Sequence, residues 1–267
     1  NVVSSIGMLF AVLVTVIEIV NPVLVLSAVL LGALIGSAFA LKVKMTSIPE
    51  MVALFNGFGG LSSFFLAWSE FNNLSAISLI MILSFMTVLI GGITFSGSVV
   101  AFFKLSEILK GNNNFLNKAS RWFLIFSFLF VIIAVIQVIA GGLGYEFIDL
   151  ALIQKIFIAL LIISLFAGLA FVLPIGGGDM PVVISLLNSF SGIAAASAGV
   201  LLTNTALIVA GCLVGASGLV LTLIMAKSMN RTLYNIFFVG YESSGSSAAE
   251  IDGEIKPISA EDAYLVV

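Results

Sequence analysis

The chain has 267 residues, of which 61% are hydrophobic and only 9% are charged, and its formal net charge is −3. Because a soluble domain carries roughly 25% charged residues, this composition excludes a water-exposed globular fold. With no basic patch, a nucleic-acid partner is also excluded. Histidine is absent and Cys212 is the single cysteine, so neither a metal site nor a histidine proton relay is expected within the chain.

Apolar blocks close to the length that crosses a bilayer core recur along the chain. Breaks at proline, glycine, asparagine and charged clusters place eight helices in order, at 2–20, 23–41, 51–68, 77–103, 121–140, 153–173, 181–201 and 205–226. A lone span satisfies its backbone in lipid only as a helix, and the alternating segments of a β-barrel are not seen. The sequence therefore predicts an all-α polytopic membrane protein, a bundle of about eight transmembrane helices.

Positive charges fall in alternate connections between the predicted helices. They are Lys42, Lys44, Lys104, Lys110, Lys118, Arg121, Lys227 and Arg231. The other connections carry the acidic residues Glu18, Glu70, Glu146 and Asp149. Lys155 is the exception, interpreted as a side chain that snorkels to the interface. The positive-inside rule predicts that both ends of the chain lie in the cytoplasm.

Composition changes after the last predicted helix. Residues 1–231 are assigned to the membrane bundle, and 232–253 to a linker, because 241–250 are small and polar. Residues 254–267 again mix charged and apolar side chains. They are predicted to begin a soluble cytoplasmic domain.

Small and polar residues recur at helical spacing within two of the predicted spans. In the fourth helix they are Ser84, Thr87, Gly91, Thr94 and Ser98; in the seventh they are Ser185, Asn188, Ser189, Gly192, Ala195, Ala196 and Gly199. Small residues let helices approach closely, which is one interpretation of both stripes. The other is that these faces line a hydrated path.

Three further residues are candidates for function. Asn56 and Asn188 each place an amide within a span, where it must bond a neighbouring helix or meet water in a cavity. Asp179 lies in the glycine-rich segment 176–181 before the seventh helix. It could cap that helix or act as a proton-accessible carboxylate. These residues alone do not separate a channel, a transporter and a coupled enzyme.

Four segments together resemble one family. Residues 178–192 (GDMPVVISLLNSFSG) are similar to the membrane signature of proton-translocating NAD(P) transhydrogenase, beta-type subunit, and 44–53 (KMTSIPEMVA), 94–102 (TFSGSVVAF) and 226–231 (AKSMNR) support the match. The resemblance implies an inner helix bundle followed by an NADP-binding domain. Residues 254–264 (EIKPISAEDAY) resemble the entrance to that domain. NADP and NAD would then be bound by soluble domains outside this fragment, and no cofactor within it.

The resemblance also implies partners and a site. The partners are an alpha-type subunit, which carries the NAD-binding domain and further transmembrane helices, a second copy of the protomer, and the lipid bilayer. The bilayer would be the bacterial inner membrane, or the mitochondrial inner membrane in a eukaryotic relative. Many relatives carry a histidine where this chain has Asn56, and asparagine cannot titrate, so the relay is expected to be shared with the partner.

The function predicted from the sequence is therefore the proton-conducting membrane domain of an enzyme that couples hydride transfer between NADH and NADP to proton translocation. The alternative is a secondary transporter or ion channel, with a broken-helix site at Gly176–Pro181. No convincing inverted repeat supports that alternative. The candidate residues for the proton path or coupling are Asn56, Asn188, Asp179, Ser189 and Thr94. No catalytic residue for hydride transfer is expected in the fragment, which alone should be inactive.

Overall fold

The computed structural model describes residues 2–18, 22–73, 79–109, 114–143 and 149–236. Within these ranges the chain is helical and has no strand. The helices are α1 (Val2–Glu18), α2 (Pro22–Lys42), α3 (Ile48–Asn72), α4 (Leu79–Leu105), α5 (Asn114–Gly142), α6 (Leu150–Val172), α7 (Met180–Leu201) and α8 (Thr205–Ser228). Short 3-10 turns at Met45–Ser47 and Gly177–Asp179 lead into α3 and α7.

Seven helical segments in the described ranges are long and apolar enough to cross a membrane. The prediction of an all-α polytopic membrane protein is confirmed. The predicted helix ends differ most at the start of α5, which is Asn114 rather than 121, and at the end of α3, which is Asn72 rather than 68. Both extensions are polar, because a hydropathy pattern marks only the lipid-embedded part of a helix, and the helix continues into the interface.

The chain divides into two compact units, residues 1–52 and 53–267. Within the first unit, α1 packs on α2. Within the second, α4 is central, because it contacts α5, α6 and α7, while α7 and α8 pack along each other.

Glycines bring helix backbones of the second unit into direct contact. A Cβ atom added to Gly60 of α3 would lie 2.8 Å from the carbonyl oxygen of Gly91 and 2.8 Å from the Cβ of Thr94, both on α4. A Cβ added to Gly218 of α8 would lie 2.8 Å from the backbone nitrogen of Ser189 on α7. Close helix packing therefore accounts for Gly91, Thr94 and Ser189 of the predicted stripes.

Two apolar clusters fill the second unit. In one, the rings of Phe71 and Phe157 stack with centroids 3.8 Å apart, and Phe85 packs beside them. The other lies around the start of α7, with Met180 and Leu187 completely buried. Because this second cluster also contains residues from α3, α4, α6 and α8, it fixes α7 against its neighbours.

Charged side chains of this unit gather where α4, α6 and α8 end. Lys104 of α4 contacts the end of α6, and Arg231, just after α8, lies near Asp179 before α7. Asp149 precedes α6 and Lys155 lies in its first turns, so both are at the opposite end of that helix. In the described part of this unit, Lys104 and Arg231 thus lie at the end opposite to Asp149 and Lys155, and the cytoplasmic orientation stays a prediction.

The predicted linker is only partly within the described residues. Its first residues form a helical turn over 233–236, in which Ile236 is buried in the cluster around the start of α7. Residues 237–267, including the predicted beginning of a soluble domain, lie outside the described residues.

Candidate functional site

Asn56 of α3 forms hydrogen bonds to two neighbouring helices. Its Nδ2 donates to Ser98 Oγ on α4 over 3.1 Å. Ser191 Oγ on α7 donates to Asn56 Oδ1 over 2.7 Å and also lies 3.3 Å from the Asn56 carbonyl oxygen. We call Asn56, Ser98 and Ser191 the polar junction. It joins three helices through neutral groups inside the second unit.

The amide of Asn188 lies beside the polar junction but does not share its hydrogen bonds. Asn188 lies one helical turn before Ser191, so the two residues share a face of α7. Asn188 is half-buried, and among the described residues its amide has no hydrogen-bond partner. A half-buried amide of this kind needs a partner, which water or a group from another chain can supply.

Ser189 is on a different side of α7. Its hydroxyl donates to the carbonyl oxygen of Gly215 on α8 over 2.7 Å, and it is fully buried. One turn earlier, Ser185 Oγ donates to the Gly218 carbonyl over 3.2 Å. Ser189 therefore joins α7 to α8 and does not contact the polar junction, so its predicted place in the proton path stays a prediction.

Thr94 is also separate from the junction's hydrogen bonds. Its Oγ1 donates to Ile90 O in its own helix over 2.7 Å, and the residue is fully buried against Gly60. Thr94 lies one turn from Ser98 on the same face of α4. The residue packs α4 against α3 directly beside the junction, and its role in coupling stays a prediction.

Asp179 is at the N-cap position of α7, but its carboxylate accepts no capping hydrogen bond. The expectation of a side-chain cap is therefore wrong. The Oδ1 atom of Asp179 instead lies 3.7 Å from Nε of Arg231, and their side chains are 12% and 30% exposed. The residue forms an ion pair with the segment that follows α8.

The segment Gly176–Pro181 connects two helices. One apolar span ends at Val172 and the next runs from Gly177 to Leu201. The glycines thus lie where α6 has ended and α7 is about to begin, and not in the middle of a span, so the helices do not support a broken-helix site at this segment.

Sequence reasoning missed the roles of two residues of the polar junction, Ser98 and Ser191, and the contacts of Lys104. The pattern assigns Ser98 to a stripe that either packs or lines a hydrated path, gives Ser191 no role of its own, and uses Lys104 only for the orientation. For Ser191 a signal was present, since it follows Asn188 by three residues and must share its helix face. The carbonyl groups that Lys104 binds, at the end of α6, lie too far along the sequence to be inferred.

The fold and the junction define a class: a multi-pass α-helical membrane protein whose tightly packed bundle holds a partly buried, neutral polar junction. Comparison with known proteins then identifies the family. The family described as NAD(P) transhydrogenase beta subunit matches residues 1–267, and the chain belongs to it.

Two relatives from Rhodospirillum rubrum carry the name NAD(P) transhydrogenase subunit beta. Each is 33% identical to this chain over 282 aligned positions, which cover 100% of the chain. The chain spans 58% of the length of these relatives.

Proposed function

We propose that this chain is the proton-conducting membrane domain of a transhydrogenase that couples hydride transfer between NADH and NADP to proton translocation. The observation that carries the proposal is the polar junction, because it places amide and hydroxyl groups from three helices within hydrogen-bond distance in the bundle interior. Membership of the family supplies the class of reaction.

The chemistry of the junction limits what it can do. Neither asparagine nor serine titrates near neutral pH, so these groups cannot carry a proton by changing charge. They can donate and accept hydrogen bonds at once and so orient a water chain. We therefore assign Asn56 and Asn188 the task of positioning water and a titrating residue, which a helix of the partner subunit supplies.

The rest of the assembly follows from the same proposal. NADP is bound by a soluble domain after the membrane bundle, and NAD by the alpha-type subunit, which also contributes transmembrane helices. Two protomers form the complete enzyme. The charged end with Lys104 and Arg231 faces the cytoplasm in a bacterial inner membrane, or the equivalent compartment of a mitochondrial inner membrane.

The test replaces Asn188 with leucine in the full-length enzyme, assembled with its partner in liposomes. Proton-coupled turnover should fall about 100-fold or more, because leucine can neither orient water nor bond the relay residue. Exchange of hydride between nucleotides in the soluble domains, which needs no proton passage, should stay within about threefold of the unmodified enzyme.

Ser217→Leu is the matched control, because Ser217 is an exposed residue of α8 whose hydroxyl bonds its own helix at Val214 O. Its two activities should both match the unmodified enzyme. Normal proton pumping by the Asn188→Leu enzyme, or an equal loss of coupled turnover and exchange, would contradict a proton path that passes Asn188 beside the polar junction.

A further inference from the structure

Lys104 makes an unusual set of contacts at the end of α4. Its Nζ donates to three backbone carbonyl oxygens, those of Val172 at 3.2 Å, Leu173 at 2.5 Å and Ile175 at 2.6 Å. The last carbonyls of a helix have no partner within it and form the negative end of its dipole. The ammonium group of one helix thus satisfies the end of another, α6, and the first residues after it.

The carbonyls bound by Lys104 begin the connection from α6 to α7, residues 173–179. Within it, Ile175 is buried in the cluster around the start of α7, whereas a Cβ added to Gly177 or Gly178 would meet no atom within 4 Å. Its far end is Asp179, which lies 3.7 Å from Arg231. The connection is therefore held at its start by Lys104 and the buried Ile175, and at its far end by the ion pair.

Lys104 and Ser98 belong to the same helix, six residues apart. A shift of α4 that changes the hydrogen bond from Asn56 to Ser98 therefore also displaces the Lys104 ammonium group. Through its three carbonyl contacts, that displacement reaches the connection and its Asp179. The geometry provides a continuous route from the polar junction to Arg231, beyond the end of α8.

We propose that Lys104 is a positioning residue for coupling: it holds the α6–α7 connection so that Asp179 meets Arg231, and it transmits movements of α4 to that pair. This inference rests on the proposed function, because the movement it transmits is the one that accompanies proton passage. Lys104 touches no nucleotide and no reacting atom in this assignment. If Lys104 had only a structural role, it would bind the carbonyl groups at the end of α6 and have no effect on coupling.

The two roles are separated by a double-mutant cycle in the full-length, assembled enzyme in liposomes. The variants are Lys104→Met, Asp179→Asn and the two combined, each measured for coupled turnover and for proton-independent exchange. Lys104→Met should lower coupled turnover at least about tenfold, as expected when groups are misplaced by an ångström or less. Exchange should change less than about threefold, since the soluble domains are untouched.

The combined variant decides the assignment. If Lys104 acts through Asp179, replacing Lys104 lowers coupled turnover little further once Asp179 is already changed. The double variant should then have the coupled turnover of the less active single variant. Losses that multiply, or normal coupled turnover in Lys104→Met, would overturn the inference. Lys42→Met is the matched control, because Lys42 is an exposed cation at the end of α2, and it should leave both activities unchanged.

Lys104→Arg keeps the test decisive if the methionine variant does not accumulate in the membrane. Arginine retains the positive charge and several donors, so coupled turnover should stay within about threefold; a tenfold loss at normal abundance would overturn the inference. The Asn188→Leu enzyme distinguishes failure of the inference about Lys104 from failure of the proposed function. If that enzyme loses coupling while Lys104→Met retains it, only the inference about Lys104 fails.

Discussion

Two neighbouring glycines of α3 give a stringent test of how tightly the bundle is packed. Gly60 faces α4, where an added Cβ would lie 2.8 Å from the Gly91 carbonyl oxygen, whereas a Cβ on Gly59 would meet nothing within 4 Å. The two positions share a helix, a depth and a residue type. Replacing each with alanine therefore isolates the contact with α4.

The size of the effect can be estimated from the contact distances. Alanine at 59 gains about 0.8–1 kcal/mol from helix propensity and meets no obstacle. Alanine at 60 gains the same, but α3 and α4 must separate by more than half an ångström to restore an ordinary contact of 3.4 Å or more. Overpacking of this kind costs roughly 1–3 kcal/mol, and a backbone carbonyl cannot rotate away as a side-chain end does. Gly60→Ala should thus be about 1–3 kcal/mol less stable than Gly59→Ala.

The assay is thermal unfolding of the full-length protein in one detergent, with both variants and the unmodified chain in parallel. At roughly 2–4 °C per kcal/mol, the melting temperature of Gly60→Ala should lie about 2–12 °C below that of Gly59→Ala. Equal melting temperatures, or a more stable Gly60→Ala protein, would refute the close approach of α3 and α4 at this residue.

Two further predictions address the α7–α8 pair and the orientation. Ser189→Ala removes the hydrogen bond to the Gly215 carbonyl, so the free energy of unfolding in detergent should fall by about 0.6 kcal/mol, the average for interhelical bonds in membranes; a fall above about 3 kcal/mol would contradict this account. In a Cys212→Ser background, cysteines at Lys42 and Lys227 should react with an impermeant reagent from the cytoplasmic side, and a cysteine at Lys155 from the opposite side. Labelling of Lys42 and Lys155 positions from the same side would overturn the topology.

Most of the bundle could be predicted because one physical quantity, the thickness of the hydrocarbon core, sets the length of every apolar block. The helix ends were harder to place. At α5, polar residues from Asn114 onward continue the helix, and their composition alone reads as loop. Backbone hydrogen bonding, not hydropathy, determines where a helix starts.

The candidate site could be predicted only in part. Asn56 was identifiable because an amide is costly in a membrane and must be satisfied. The hydrogen bonds that Ser98 and Ser191 form with it were not, since serine and threonine in helices often bond the preceding turn. Thr87 donates to Leu83 O and Thr94 to Ile90 O in this way. Which hydroxyls reach across to another helix depends on helix rotation, and the sequence does not specify that rotation.

The contacts around Asp179 follow from packing between distant segments, and their relative strengths bear on mechanism. The pair with Arg231 is partly exposed and 3.7 Å long, so it belongs with the ion pairs that contribute about 0–1 kcal/mol. Lys104 makes three hydrogen bonds to carbonyls from a charged donor, each of a type that contributes roughly 1.5–3 kcal/mol. Because the strong contacts hold the start of the connection to Lys104 and the weak pair lies at its far end, a small displacement of the connection would open the Asp179–Arg231 pair before it breaks the Lys104 contacts. Under the proposed function, a contact with these energies is suited to change once in each turnover.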